Sequence, residues 1–456
     1  MKLNQEFFMK KRHIIFILTF ILALAGCFPQ AGAIRDIRDL PQNHASYYEG
    51  ALGAEELFAR QIQQQMDEDY NIIHFSMWHQ RQPFHALPDR VSLDFKRFYK
   101  NPGYGENKIR HTGEWINRLE QNASLKNYPN ALYPAITTRN TNLRALPTQG
   151  THFSSSESDS SGWPFDNMQR SSVAANTPIF VCHISADKSW ALVETSFTFG
   201  WIPIEDSARV NDAFIKQWES GRYAAITANK TSILDANGNF ILRTSIGHIF
   251  PLVKEAQERL EILVAASDED NNAVIKTGFV YREQAALKPL SFNYNNAAKV
   301  ANELLGEPYG WGGLYGNRDC SAMTRDFFAP FGIWLPRHSA DQVNEVGQYF
   351  DLRGLTAEEK EKMIIEKGLP YLSLLWFRGH VMIYIGQDKG RALIFHNIWG
   401  IRIKDETGTN GRKIIGQSVI TTLRPGAELE DIDLQDGYLI DKISAMNILA
   451  PVPEGP

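Results

Sequence analysis

The chain has 456 residues, of which 43% are hydrophobic, 22% charged and 11% aromatic, and its formal net charge is −5. This composition excludes the disordered, collagen-like and disulfide-stapled classes, and the slightly acidic balance argues against a nucleic-acid binder, whose domains carry a basic excess. At about 150 residues per domain, the length suggests about three domains, each large enough to bury a core.

At the amino terminus, Lys10-Lys11-Arg12 precedes an apolar or small-residue stretch from Ile14 to Gly26. That stretch is too short to cross a bilayer as a helix and has the form of a secretory signal. It closes on Leu24-Ala25-Gly26-Cys27, which resembles the lipobox of bacterial lipoproteins, in which the Cys is lipidated and becomes the new first residue. The plainer alternative is an ordinary signal peptide that happens to hold a cysteine. Loss of residues 1–26 removes four cations and one anion and leaves a net charge of −8. Such a charge does not draw a protein onto anionic lipid, so the expected location, an exported lipoprotein on a periplasm-facing membrane, rests on acyl chains at Cys27.

Residues 27–120 read as a helical region, with helical stretches at Ala54–Gln63 and Ser92–Tyr99. From 121 to 210 the pattern turns to short strands with turn signals, interrupted by the serine-rich Ser154–Ser161. From 211 to 285 a similar pattern recurs, with a hairpin around Asn237-Gly238. The two stretches end alike, which points to two small barrels of one type. In residues 286–456, Ala297, Val300, Ala301 and Leu304 mark one face of a helix over 294–305. A capping box at Thr356–Glu359 starts another that stops at Gly368.

The chemistry-bearing residues lie between and beyond these two helices. Cys182 sits in the strand-like Pro178–Ile184 and reads as a small buried hydrophobe, whereas Cys320 stands at the start of a helix, among Gly, Asn, Arg and Asp. A helix N-terminus favours an anion and so lowers a thiol pKa, which makes Cys320 a candidate nucleophile. Two strand-like runs, His380–Gly386 and Arg391–His396, predict a hairpin centred on Asp388 in which His380 faces His396, so that one imidazole orients the other. A Cys–His–His relay follows. Taken singly, such a Cys is more often structural and such a His a satisfied polar cap; a zinc site would need a further ligand and usually tighter spacing. Asp319 beside Cys320 opposes thiolate formation unless a cation accompanies it, so it is expected to grip a substrate ammonium, or to cap the helix, or both.

Taken together, Tyr309-Gly-Trp-Gly-Gly313, Asp319-Cys-Ser321, Leu335-Pro-Arg-His-Ser339 with Gln342, Gly379–Gly386 and Phe395-His396 resemble the NlpC-type cell-wall cysteine peptidases over residues 290–456. The preceding arrangement is similar to the subgroup with an N-terminal stabilising region and two bacterial SH3-like barrels. The resemblance implies an α+β, papain-like peptidase domain that needs neither cofactor nor metal. It implies cleavage of the γ-D-glutamyl–diaminopimelate bond in murein peptides with a free N-terminal L-Ala. By position, Cys320 is then the nucleophile, His380 the base and His396 its orienter, with Tyr309, Asp319 and Ser321 at the substrate end. Trp163, in Gly162-Trp-Pro-Phe-Asp166, matches a stretch that carries an aromatic residue toward the active site in relatives. Ala322 departs from the family's usual Gly. The competing readings are a non-catalytic murein-binding lipoprotein and a Cys–His amidase or acyltransferase.

Overall fold

The computed structural model describes residues 34–48, 53–57, 59–157, 162–404 and 407–449; Cys27 and the signal-like stretch lie outside them. Among the described residues, four α-helices come first: α1 (Arg35–Asp39), α2 (Arg60–Phe75), α3 (Pro88–Lys100) and α4 (Gly113–Ala123). Proline at the first turn of α3, and the Thr112 side chain accepting the Trp115 N–H before α4, set their starts. The stretch expected to be helical from Ala54 begins its helix only at Arg60. Glu56 instead bridges to Asn293, and the Leu57 N–H donates to Phe292 O at 2.8 Å, so pairing with a distant segment overrides local helix propensity.

The first sheet contains β1 (Tyr133–Thr137), β2 (Thr141–Arg144), β3 (Gln169–Val173), β4 (Pro178–Ile184), β5 (Trp190–Glu194), β6 (Phe199–Pro203) and β7 (Ser207–Arg209), in the order β3-β2-β6-β5-β4-β1-β7. Helix α5 (Asp212–Trp218) leads to β8 (Tyr223–Ile226), β9 (Thr231–Leu234), β10 (Phe240–Thr244), β11 (Ile249–Glu255), β12 (Arg259–Ser267), β13 (Ala273–Tyr281) and β14 (Ala285–Lys288). Their order, β10-β9-β13-β12-β11-β8-β14, repeats that of the first sheet strand for strand. The two are therefore barrels of one type, as the echo in the sequence implied.

The C-terminal domain starts with α6 (Tyr294–Leu304), N-capped by Asn293, with Ala297, Val300, Ala301 and Leu304 all buried. There follow α7 (Cys320–Phe328), α8 (Ser339–Asn344), β15 (Gln348–Asp351), α9 (Ala357–Lys367), β16 (Ser373–Phe377), β17 (His380–Asp388), β18 (Arg391–Lys404), β19 (Asn410–Thr422), α10 (Leu439–Lys442) and β20 (Ala445–Ile448). The sheet runs β15-β20-β16-β17-β18-β19. Both its faces are covered: one core holds Leu304, Met323, Phe327, Val381, Ile383 and Phe395, and another Ile364, Met382, Ile394, Leu439 and Met446. The continuous apolar run of β17 follows from burial on both sides.

The first barrel is seated on the C-terminal domain at a glycine pair. Gly312 and Gly313 have φ of 60° and 84°, and a Cβ on Gly313 would lie 2.1 Å from Ser172 Oγ in β3. The Gln169 side-chain amide donates to Gly312 O at 3.0 Å, and Trp311 Nε1 donates to Asp166 O at 3.1 Å. A residue with a side chain at either position would push the barrel away.

Candidate active site

Cys320 is the first residue of α7. Asp319 is its N-cap, its Oδ1 accepting the Ala322 N–H at 2.8 Å. Cys320 lines a cleft of about 470 Å³, along with Tyr309, Trp311, Gly312, Asp319, Ser321, Arg337 and Gly379. Of the residues flanking His380, Gly379 lines the same cleft as Cys320, and the Val381 N–H points at the thiol. Cys182 and Cys320 are both unpaired and buried.

His380 and His396 do come together, but not through the register expected. The hairpin closes on Lys389 and Gly390, both with positive φ (49° and 77°), so that Asp388 pairs with Arg391. A bulge between Tyr384 and Gly386 then shifts the ladder, and Ile383 pairs with Phe395. His396 is therefore opposite Met382, two residues from His380, and an offset of two keeps the histidines on one face. Without the bulge, the tight turn would set His396 against Ile383 and place the rings on opposite faces. The observed rings are 5.2 Å apart, with His380 Nε2 2.9 Å from His396 Nδ1.

One arrangement of protons satisfies every bond along this line. The Thr421 hydroxyl donates to Thr422 O at 2.8 Å, so its oxygen accepts from His396 Nε2 at 3.1 Å. His396 Nδ1 is then an acceptor for His380 Nε2–H, which leaves His380 Nδ1 as a free lone pair. Burial holds the His380 pKa down at about 3, with Lys442 adding to it; burial and His380 hold His396 well below the ordinary imidazole range. Both rings are neutral.

The thiol departs from expectation. Burial, and then Asp319, push the Cys320 pKa up to about 12, against the pull of the Val381 N–H and Arg337. Desolvation outweighs the helix N-terminus. The cation accompanying Asp319 is supplied by the chain itself: Arg337 Nη2 donates to Asp319 Oδ2 at 2.6 Å and Nη1 to Oδ1 at 3.1 Å. Gly312 N–H and the Ser321 hydroxyl also donate to the carboxylate. Although burial raises the Asp319 pKa, Arg337 and the Ala322 and Gly312 N–H groups keep it below the ordinary range. Arg337 donates further to Ser321 Oγ and to Ser171 Oγ of β3, both at 2.8 Å, and so ties the residues around the thiol to the first barrel.

Tyr309 lines the cleft, and its phenol stays protonated, pushed well above the ordinary range by burial, Cys320 and Asp319. Trp163, 53% exposed, stands one ring behind: it meets Trp399 edge-on at 5.2 Å, and Trp399 is tilted against Tyr309 at 6.0 Å. The sequence reading gave no role to Arg337 or Thr421. A lone arginine inside Ile333-Trp-Leu-Pro-Arg337 was the available signal for the first.

Among the described residues, no group of three or more His, Cys, Asp or Glu side chains is placed to hold a metal ion. A helix that starts at a cysteine, packed on an antiparallel sheet that carries the histidine pair, defines a papain-like cysteine peptidase. Residues 306–410 match the NlpC/P60 family, and the C-terminal domain belongs to it. Residues 14–128 match the N-terminal NLPC_P60 stabilising domain, 151–203 an SH3 domain of SH3b1 type and 211–257 one of SH3b2 type. Among solved structures, the chain is similar to a novel NlpC/P60 endopeptidase from Photobacterium damselae subsp. piscicida, with 26% identity and a TM-score of 0.79 over 90% of this chain and 97% of that one. It also matches an NlpC/P60 family protein from Bacillus cereus ATCC 10987, with 18% identity and a TM-score of 0.43 over 62% and 83% of the two chains. No curated protein matches.

Proposed function

We propose that this cysteine peptidase is an exported lipoprotein, anchored through Cys27, that hydrolyses the γ-D-glutamyl–diaminopimelate bond of murein peptides and prefers those with a free N-terminal L-Ala. The observation that carries the catalytic part is the directed line from Thr421 through His396 to His380, which leaves His380 Nδ1 unprotonated on a residue whose neighbour Val381 points its N–H at the Cys320 thiol. His380 Nδ1 takes the Cys320 proton as the sulfur attacks the γ-carbonyl of D-Glu. The tetrahedral intermediate collapses as the same proton passes to the departing diaminopimelate amine. A water then attacks the thioester with His380 again as base, releasing L-Ala-D-Glu and restoring the thiol.

The raised thiol pKa and lowered imidazole pKa support proton transfer during attack, as opposed to an ion pair formed beforehand. Tyr309, Asp319 and Ser321 form the substrate end, with Trp163 behind them. Because Arg337 already neutralises Asp319, a substrate ammonium would have to share that carboxylate, and the free-amine preference rests on the family resemblance more than on charge. The two barrels and the family favour a cell-wall substrate over a lipid or other acyl donor.

The test is mass spectrometry of products from L-Ala-γ-D-Glu-diaminopimelate and from its N-acetylated form. Release of diaminopimelate, faster from the free amine, is expected. An intact γ-bond would overturn the assignment of the bond, and equal rates would overturn the free-amine preference.

A further inference from the structure

The cleft that holds Cys320 continues past Arg337 to a wall formed by the N-terminal helices and the first barrel, where Asp94, Arg97, Asn167 and Arg170 face it. Its charges do not balance. Asp319 is committed to Arg337, and Asp94 to Arg170, which also donates to Phe199 O at 3.0 Å. Arg97 on α3 is the remaining arginine, and its Nη2 donates to Asn167 Oδ1 at 3.0 Å. Asn167 holds that oxygen in place, because its amide nitrogen lies within 3.2 Å of His152 Nδ1, His152 O and Ser154 Oγ. Among the described residues no carboxylate lies within ion-pair distance of Arg97; its charge reaches Asp94 only from farther away and its guanidinium lies 5.6 Å from the Phe98 ring centroid, so a guanidinium positioned by Asn167 faces the cleft without a carboxylate partner of its own.

We infer that Arg97 is a specificity residue that receives a carboxylate of the substrate, and that the N-terminal helical region therefore binds substrate as well as supporting the fold. This rests on the γ-D-glutamyl reading above. A glutamate linked through its γ-carbonyl keeps its α-carboxylate free on the acyl side of the bond that is cut, and a guanidinium recognises that group through charge-assisted hydrogen bonds.

The test uses the full mature protein and two tripeptides that differ only at D-Glu, one with the free α-carboxylate and one with the α-carboxamide. The wild type should favour the carboxylate peptide in kcat/KM by roughly tenfold or more, the size expected of a hydrogen bond to a charged group. Arg97→Ala should bring that ratio close to one by slowing only the carboxylate peptide. Arg97→Lys should keep part of the preference, and Arg90→Ala, an exposed arginine on the same helix, all of it. A wild type that cuts both peptides equally, or an Arg97→Ala variant that keeps the full ratio, overturns the inference and leaves the peptidase reading standing. If neither peptide is cut, the γ-D-glutamyl reading falls and this inference falls with it.

Discussion

His380 Nε2 lies 2.9 Å from His396 Nδ1 although the two residues are not partners across the hairpin. They meet because one extra residue in β17 turns an odd register into an even one. Gly386, in that bulge, has a φ of 123° and room for a Cβ, whose nearest contact would be Pro370 Cγ at 4.0 Å. Backbone conformation alone therefore demands glycine there. Gly386→Val should lower kcat on the order of 10²-fold, because catalytic misplacement of about 1 Å has that cost. Circular dichroism should remain that of a folded protein. His396→Ala should slow turnover without abolishing it, whereas His380→Ala should abolish it. A Gly386→Val enzyme with wild-type kcat would show that the bulge does not set the pair.

Arg337 is the second test, read through stability. Its guanidinium is buried and bonded to Asp319, Ser321 and Ser171. Arg337→Met leaves a buried carboxylate without its cation, at a cost of about 3–5 kcal/mol in denaturant unfolding. It should also raise the Cys320 pKa further, since Arg337 pulls that pKa down. The double variant Asp319→Asn with Arg337→Met should recover a large part of the loss. Additive losses would mean that the pair is not the unit described.

The buried histidines give a pH dependence with a definite sign. The buried His44 and His380 and the partly buried His74 are held at about 3, and the partly buried His248 at about 4, chiefly by desolvation, against about 6.5 in an unfolded chain. Below 6.5 the unfolded state binds these protons and the folded state does not, so stability is present above 6.5 and is lost as pH falls toward the folded values. Each such histidine contributes about 1.4 kcal/mol per pH unit over that window. Unfolding midpoints measured from pH 7 to pH 5 should drop steadily, and a flat profile would contradict burial of the neutral rings.

Much of the C-terminal domain was legible in the sequence because its signals are local. The apolar face of Ala297, Val300, Ala301 and Leu304, the Thr356–Glu359 capping box and the placement of Cys320 after an N-capping Asp319 each involve residues within one or two turns. The histidine pairing was legible in outcome and not in register, since Ile385 fits an ordinary ladder as well as a bulge. What the sequence hid is long-range: the Arg337–Asp319 pair spans 18 positions, Arg337 to Ser171 spans 166, and Arg97 joins the cleft from another region. The net thiol pKa was misjudged for a related reason, because burial of Cys320 depends on everything that closes over it.

Acyl chains on Cys27 are the proposed anchor, so Cys27→Ser should move the protein from the membrane pellet to the soluble fraction. Equal retention of the variant would refute attachment through Cys27.

The measurement that bears most directly on catalysis by Cys320 is rapid-quench intact-mass spectrometry during turnover of L-Ala-γ-D-Glu-diaminopimelate. The wild type should gain the mass of an L-Ala-γ-D-glutamyl acyl group, mapped to Cys320. Cys320→Ala should show neither adduct nor product. Product formation that survives in Cys320→Ala, or an acyl group mapped to another residue, would contradict covalent catalysis at this thiol.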